Sequence, residues 1–295
     1  MALTIPCDTD DAIGLDDYIA YIRDHVDIRD EASLAESAPK LRQLANNRAL
    51  IVDRINRELD DWTTFQSDNN YTSQTVMLGG GADFYIRANM WLPPAAVAQD
   101  QEWQDKLFFY RVPHDHNFSF LTVGYLGSGY DTTIWEYDRE TVSGEPGERV
   151  ALRLLEKTTL ETGKVMLYRA CRDIHSQEHP RDVSISLNLI ASPPEVIHTN
   201  QYMFDTEAGT ITANVLKSIS GHVFLCTLAQ HVGNGATASL LDRIAQTHFA
   251  PKVRIAAARA LAALEPAAAV GEVWKTVVDD VDPSVRGAAI AALER

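Results

Sequence analysis

Leu107-Phe-Phe-Tyr-Arg-Val-Pro-His114-Asp-His116-Asn-Phe118 decides the reading of this chain, and it runs directly into Ser-Phe-Leu-Thr-Val-Gly-Tyr125. An apolar run, a proline, two histidines one residue apart and a second aromatic and β-branched run describe the end of one strand and the start of another. Side chains alternate along a strand, so His114 and His116 share one face and Asp115 takes the other. Both imidazoles then face one ion, while Asp115 points away to hold the local backbone or a neighbouring histidine.

The texture around this stretch is uniform from Thr75 to about Leu216: short runs rich in Val, Ile, Phe, Tyr and Thr, punctuated by Gly, Pro and Asp. Strands are expected at 84–90, 107–112, 118–125, 132–137, 150–156, 165–169, 183–190 and 210–216. No long helical pattern alternates with them, so a closed or nearly closed antiparallel barrel of the jelly-roll kind follows rather than a parallel sheet. The fold class is therefore mainly β, with helices on either side.

Before the strands, Tyr18, Ile22 and Val26, then Leu41, Leu44, Ile51, Ile55 and Leu59, mark two amphipathic helices, with Asp30 or Ser33 as a cap and Pro39 as a start or kink of the second. They form a layer packed on the barrel. Beyond Gly221 the pattern is helical again and repeats itself. Pro251-Lys-Val253-Arg254 is echoed by Pro283-Ser-Val285-Arg286, the Val-Arg pairs lying 32 residues apart. This resembles HEAT-type helical repeats, in which an acidic-Pro turn such as Asp282-Pro283 opens a helix and the arginine braces the stack. Fewer repeats are visible than an independent solenoid needs, so the pair leans on the barrel or on another chain, unless it is an Ala-rich appendage without a partner. Three regions result: helices over 1–70, a metal-binding barrel over 71–220 and helical repeats over 221–295.

Composition narrows the function. A net charge of −15 repels phosphate backbones, which excludes nucleic acid as a partner. The hydrophobic residues, 45% of the chain, are dispersed, without a run long enough for a membrane span. Met1 to Gly14 lacks the basic start and apolar stretch of a secretory signal, so a cytoplasmic protein is expected. Cys7, Cys171 and Cys226 are far apart and form no CxxC pair, so a metal site must draw on His and carboxylates. The third ligand is sought in Cys171-Arg-Asp-Ile-His175-Ser-Gln-Glu-His179-Pro, just before a strand. His175 is the first choice and His179, next to Pro180, the reserve. Glu136 lies too far from His116 for the spacing usual of a carboxylate ligand, and reads as a surface or strand carboxylate. Imidazoles suit iron, zinc, copper or nickel, so they leave the metal open.

The segment Val112–His116, followed by Leu121–Gly127, resembles the cupin superfamily and, within it, the HDH motif of the thiol dioxygenases of the cysteine dioxygenase type. The stretch His175–Pro194, with Val183-Ser-Ile-Ser186-Leu-Asn188-Leu-Ile190 and Ser192-Pro193-Pro194, is similar to their third-ligand loop and final active-site strand. Tyr85-Ile-Arg87 matches the Tyr-x-Arg that grips the substrate carboxylate. The resemblance implies Fe(II) held by His114, His116 and His175, O₂ as co-substrate, and Arg87 with Tyr85 positioning a small anionic substrate. It breaks at Ser186–Ile190, where the family's outer His and Tyr are missing, and at Leu121, where animal enzymes carry a crosslinking Cys. These departures point away from free cysteine and toward another small acid, a modified amino acid or a peptide group. Two other readings stand beside it: zinc or copper chemistry without oxygen, and a cupin-HEAT interaction protein whose barrel is structural and whose C-terminal helices dock a protein partner or a second copy.

Overall fold

A computed structural model describes residues 3–294 except 62, 64, 65, 67, 68, 70, 73, 216 and 217. The chain divides into two compact units, Met1–Val196 with Gln201–Asn214, and Ile197–Asn200 with Val215–Arg295. Among the described residues no helix is long and apolar enough to cross a membrane.

The first unit opens with strand β1 (Leu3–Ile5) and four short helices, α1 (Leu15–His25), α2 (Glu31–Glu36), α3 (Ala38–Asn46) and α4 (Leu50–Asp60). Two longer helices were expected there. Local chemistry divides them: Asp30 accepts from the backbone N–H of Ala32 and Ser33 to start α2, and Pro39 sits in the first turn of α3. Strands β2 (Thr75–Gly80), β3 (Phe84–Trp91), β4 (Phe120–Leu126), β7 (Val165–Tyr168) and β9 (Ser184–Ala191) join β1 in an antiparallel sheet of order β1-β7-β4-β9-β3-β2. A second layer contains β5 (Asp131–Glu136), β6 (Arg153–Thr159) and β8 (Asp173–Gln177) in the order β6-β5-β8. It is extended by the pair β10 (Gln201–Asp205) and β11 (Thr210–Val215) through His114, which bridges to His175 of β8 and Met203 of β10. The two antiparallel layers form the expected barrel.

Alternation gives the larger sheet two different faces. Ile86, Ala88, Leu121, Val123, Leu167, Leu187 and Leu189 pack with Tyr18, Ile22, Leu34, Leu41 and Leu44 of the helical layer. The residues between them, with Tyr85, Trp91, Phe120, Met166, Tyr168 and Ile190, form a separate aromatic-rich cluster inside the barrel. In register, Tyr85 lies opposite Ile190, which lies opposite Phe120, which lies opposite Tyr168; the next inward row is Arg87, Asn188, Thr122 and Met166. The chain passes itself closely at Gly124, where a Cβ would stand 2.1 Å from the Glu161 carbonyl oxygen. Only glycine fits under that turn.

Two expected strands are placed differently. The run 107–112 is the end of a helix, α5 (Ala98–Phe108), closed by Phe109 in the left-handed region at φ 56° and followed by a single bridge at Tyr110. Good helix formers fill 98–107, and the aromatic residues that suggested a strand are anchors, Phe108 and Tyr110 being buried in the barrel cluster. The strand expected at 150–156 starts later, at Arg153. Leu216, in the strand expected at 210–216, lies outside the described residues.

Glu136 of β5 has a structural role. Its carboxylate pairs with Arg153, with Arg169 at 3.0 Å and with Arg172 at 3.4 Å, and the hydrogen bonds from Arg153 lead in holding its pKa down at about 2. A carboxyl more acidic in the folded than in the unfolded state stabilises the fold above its unfolded pKa, and this is lost as pH falls from about 4.5 toward 2. With allowance for solvent screening, Glu136→Gln should cost about 1–2 kcal/mol at neutral pH and flatten the acid limb of an unfolding-versus-pH series. An unchanged acid limb would show the network to be inert.

The second unit holds α6 (Ser218–Val232), α7 (Gly235–Thr247), α8 (Pro251–Leu264), α9 (Val270–Lys275) and α10 (Pro283–Leu293). The sequence echo is an echo in bonding. Arg254 donates to the carbonyls of His248 and Phe249, and Arg286 donates to those of Asp280 and Val281, the same two positions upstream. Asp282 caps α10 through the Ser284 N–H. Arg254 also makes a two-pronged pair with the buried Asp280 at 2.7 and 2.9 Å. Arg254→Met strands that carboxylate, so the helical unit should lose about 3 kcal/mol, seen as an earlier denaturant transition; coincident wild-type and variant curves would refute it.

Candidate metal centre

The His-x-His segment reaches the barrel interior because it is laced between two strands. His114 N–H donates to His175 O at 3.0 Å and His175 N–H donates back to His114 O at 2.9 Å, while Asp115 N–H donates to Tyr202 O and Phe204 N–H to Pro113 O. A directly hydrogen-bonded antiparallel pair projects its side chains to one side, so His175 stands beside His114, and His116 joins them two residues on. One potential ligand atom from each of His114, His116 and His175 lies within 4.8 Å of the others. The structure thus brings together the three histidines expected from the sequence, and places His175 on β8 rather than in the loop before a strand.

His179 is elsewhere. Its Nε2 lies 2.7 Å from Asp105 Oδ1 and its Nδ1 3.2 Å from Leu92 O, with the ring against Tyr110. It clamps α5 to the barrel.

Each imidazole of the trio is in a different setting. His114 Nδ1 is 2.8 Å from the Val112 carbonyl and donates to it, which in the neutral ring puts the lone pair on Nε2. His116 Nδ1 lies 2.8 Å from the side-chain amide of Gln201, and its Nε2 lies 3.0 Å from His175 Nε2. His175 Nδ1 is buried with no hydrogen-bond partner among the described residues. Burial, with His114 and Arg87 adding, holds the His175 pKa well below the usual imidazole value, so the ring is neutral. Asp115, wholly buried, faces away as expected. It accepts from Tyr137 Oη and Tyr202 N at 2.6 Å each, so it fixes backbone and a neighbouring tyrosine rather than a histidine. Burial raises its pKa to about 6 against the pull of those bonds.

Around the trio stand Phe118, Phe120 and Tyr168, the last with its ring centroid 4.7 Å from that of His175. Where the sequence carries Asn188 and Ile190, Asn188 Oδ1 accepts from Thr122 and Ser186 hydroxyls at 3.5 and 3.3 Å, Ser186 accepts from Trp91 Nε1, and Ile190 is packed among the aromatics. Arg87 lies in the same interior, its charge acting on His175 and Tyr130. Tyr85, raised in pKa chiefly by burial, is hydrogen-bonded through its hydroxyl to Tyr71. Gln201 and Tyr71 escaped the sequence reading. Gln201 opens a short alternating run, Gln-Tyr-Met-Phe-Asp205, that reads as a strand, but nothing local signals that its amide meets His116.

No family model matches the chain, and no curated protein matches it. Solved structures that it is similar to include the DMSP lyase DddQ from Ruegeria pomeroyi, at 11% identity over 45% of this chain and 51% of that one, with a TM-score of 0.24. Hydroquinone 1,2-dioxygenase PnpCD is similar at 11% identity over 43% of this chain and 69% of that one, TM-score 0.27, and a Klebsiella pneumoniae protein with a double-stranded β-helix domain at 9% over 47% and 88%, TM-score 0.24. The chain spans about half the length of the DMSP lyases it matches. The functional reading accordingly rests on the geometry of the site.

Proposed function

We propose that the barrel is of the cupin type and is an Fe(II)-dependent oxygenase or dioxygenase that uses O₂ on a small anionic substrate, an amino acid, thiol or related acid. One observation carries the reading: three buried or half-buried imidazoles converge in a barrel interior that also holds a buried arginine, Arg87, which no carboxylate pairs with among the described residues. The donors fit a metal. His175 is neutral, His114 turns its Nδ1 to the Val112 carbonyl, and 3.0 Å between the Nε2 atoms of His116 and His175 equals the separation of two ligands at right angles on an ion about 2.1 Å from each. When bound, Fe(II) supplies redox and Lewis-acid chemistry for reaction of O₂ with the substrate.

The chain's own residues do the rest. Val112 O fixes the tautomer of His114, and Gln201 orients His116. Arg87 binds the substrate anion through its N–H fork, Tyr85 adds a hydroxyl at the same end, and Phe118, Phe120 and Tyr168 keep water from the reacting atoms. The test is anaerobic reconstitution with Fe(II) followed by oxygen uptake against small thiols, amino acids and acids, with Zn(II)-loaded protein as control. One iron per chain and substrate-dependent uptake are expected. Failure to bind iron, or turnover with Zn(II) alone, overturns the oxygenase.

A second reading, an interaction role for the C-terminal helices, draws on Phe224, Leu225, Leu228 and Val232, a stripe of exposed apolar side chains on α6. Concentration-dependent sedimentation of the whole chain tests it, and a monomer at all concentrations removes self-association.

A further inference from the structure

Arg87 is 8% exposed, its Nε has no hydrogen-bond partner, and among the described residues no carboxylate pairs with it. The side chain that does meet it is aromatic. The guanidinium carbon sits 4.5 Å from the centre of the Tyr71 ring, and the Tyr71 hydroxyl is hydrogen-bonded to that of Tyr85, with the two ring centres 6.2 Å apart. Tyr71 precedes β2, outside the barrel strands, and is 40% exposed. We propose that Tyr71 makes the Arg87 site selective for carboxylates over tetrahedral oxyanions, an inference that rests on Arg87 being the substrate's anion anchor.

The argument is one of shape and sign. All five N–H bonds of a guanidinium radiate in its plane, and stacking on an aromatic ring covers a face while leaving that edge free. A carboxylate is planar, so both oxygens meet two N–H groups in the plane and its carbon substituent continues in the same plane. A sulfonate or phosphate that offers two oxygens edge-on must raise its remaining substituents above and below. On the covered side one of them runs against the Tyr71 ring, and where that substituent is an oxygen the electron-rich face also repels it. The hydroxyl bond to Tyr85 holds that ring in place, so the obstruction is fixed.

Acetate and methanesulfonate, titrated by calorimetry into the full-length, metal-free protein, are the probes. Wild type should prefer acetate by about 10-fold. Tyr71→Phe, which keeps the ring, should retain most of that preference, whereas Tyr71→Ala should reduce it below about 3-fold by admitting methanesulfonate. Arg87→Met should bind neither. Wild type that binds the two anions equally, or binds neither, overturns the inference, as does Tyr71→Ala with the wild-type preference intact. Acetate binding that survives Arg87→Met removes the anchor itself. Iron uptake is measured separately: protein that takes no Fe(II) but shows this pattern keeps the carboxylate subsite and loses only the oxygenase.

Discussion

His175→Ala should abolish specific binding of Fe(II) or its Co(II) substitute, with affinity falling by about 1,000-fold or more. Loss of an outer partner to a metal-bound histidine typically costs 10–100-fold, and removal of a ligand exceeds that. The variant should fold. Among the described residues His175 Nδ1 has no hydrogen-bond partner to strand, the contact of its Nε2 with His116 is the one polar contact given up, and the backbone bonds between His175 and His114 do not need the side chain. Chelator competition reads the affinity and thermal unfolding reads the fold. Gln201→Leu serves as the graded comparison, since it removes only the amide 2.8 Å from His116 Nδ1 and should weaken the metal by about 10–100-fold. Equal affinities in wild type and His175→Ala would dissolve the metal centre.

Arg87→Met should move function and stability in opposite directions. Removal of the anion anchor should lower kcat/KM for an anionic substrate by about 1,000-fold, as expected when one partner of a buried charged hydrogen bond is truncated. The same change should raise unfolding stability by about 1–3 kcal/mol, because a buried cation without a counter-charge is replaced by an apolar side chain of similar length. The stacking on Tyr71 offsets part of that gain. Denaturant unfolding of the metal-free protein gives the sign. A variant destabilised by several kcal/mol would mean that Arg87 belongs to the fold and not to a ligand.

Much of this barrel is legible in the chain because a strand sorts its side chains by parity. The runs at 84–90, 118–125, 165–169, 183–190 and 210–216 appear within a residue or two of their expected limits, apart from the undescribed Leu216. The pairing of His114 with His116 needs only that rule. What parity leaves out is register. That His175 faces His114 depends on which residue of β8 pairs across the gap, and the sequence offered His175 and His179 as alternatives. Tyr71 and Gln201 come from segments that meet the site only through the tertiary fold, and their residue types carry no signal alone. The helix α5 was hidden for another reason: Phe108, Phe109 and Tyr110 suit a strand by propensity, yet packing places the first and last of them in the barrel from the end of a helix.

Strand β3 shows what such sorting means for the history and engineering of the protein. Tyr85, Arg87 and Asn89 serve the chamber, while Ile86 and Ala88 serve as mortar for the helical coat. The two sets are threaded like beads of two colours on one string. Point changes at odd positions can therefore explore new chemistry while the mortar stays intact, but insertion of a single residue before Tyr85 would swap the colours, driving Arg87 into the greasy coat and leaving the chamber without its charge.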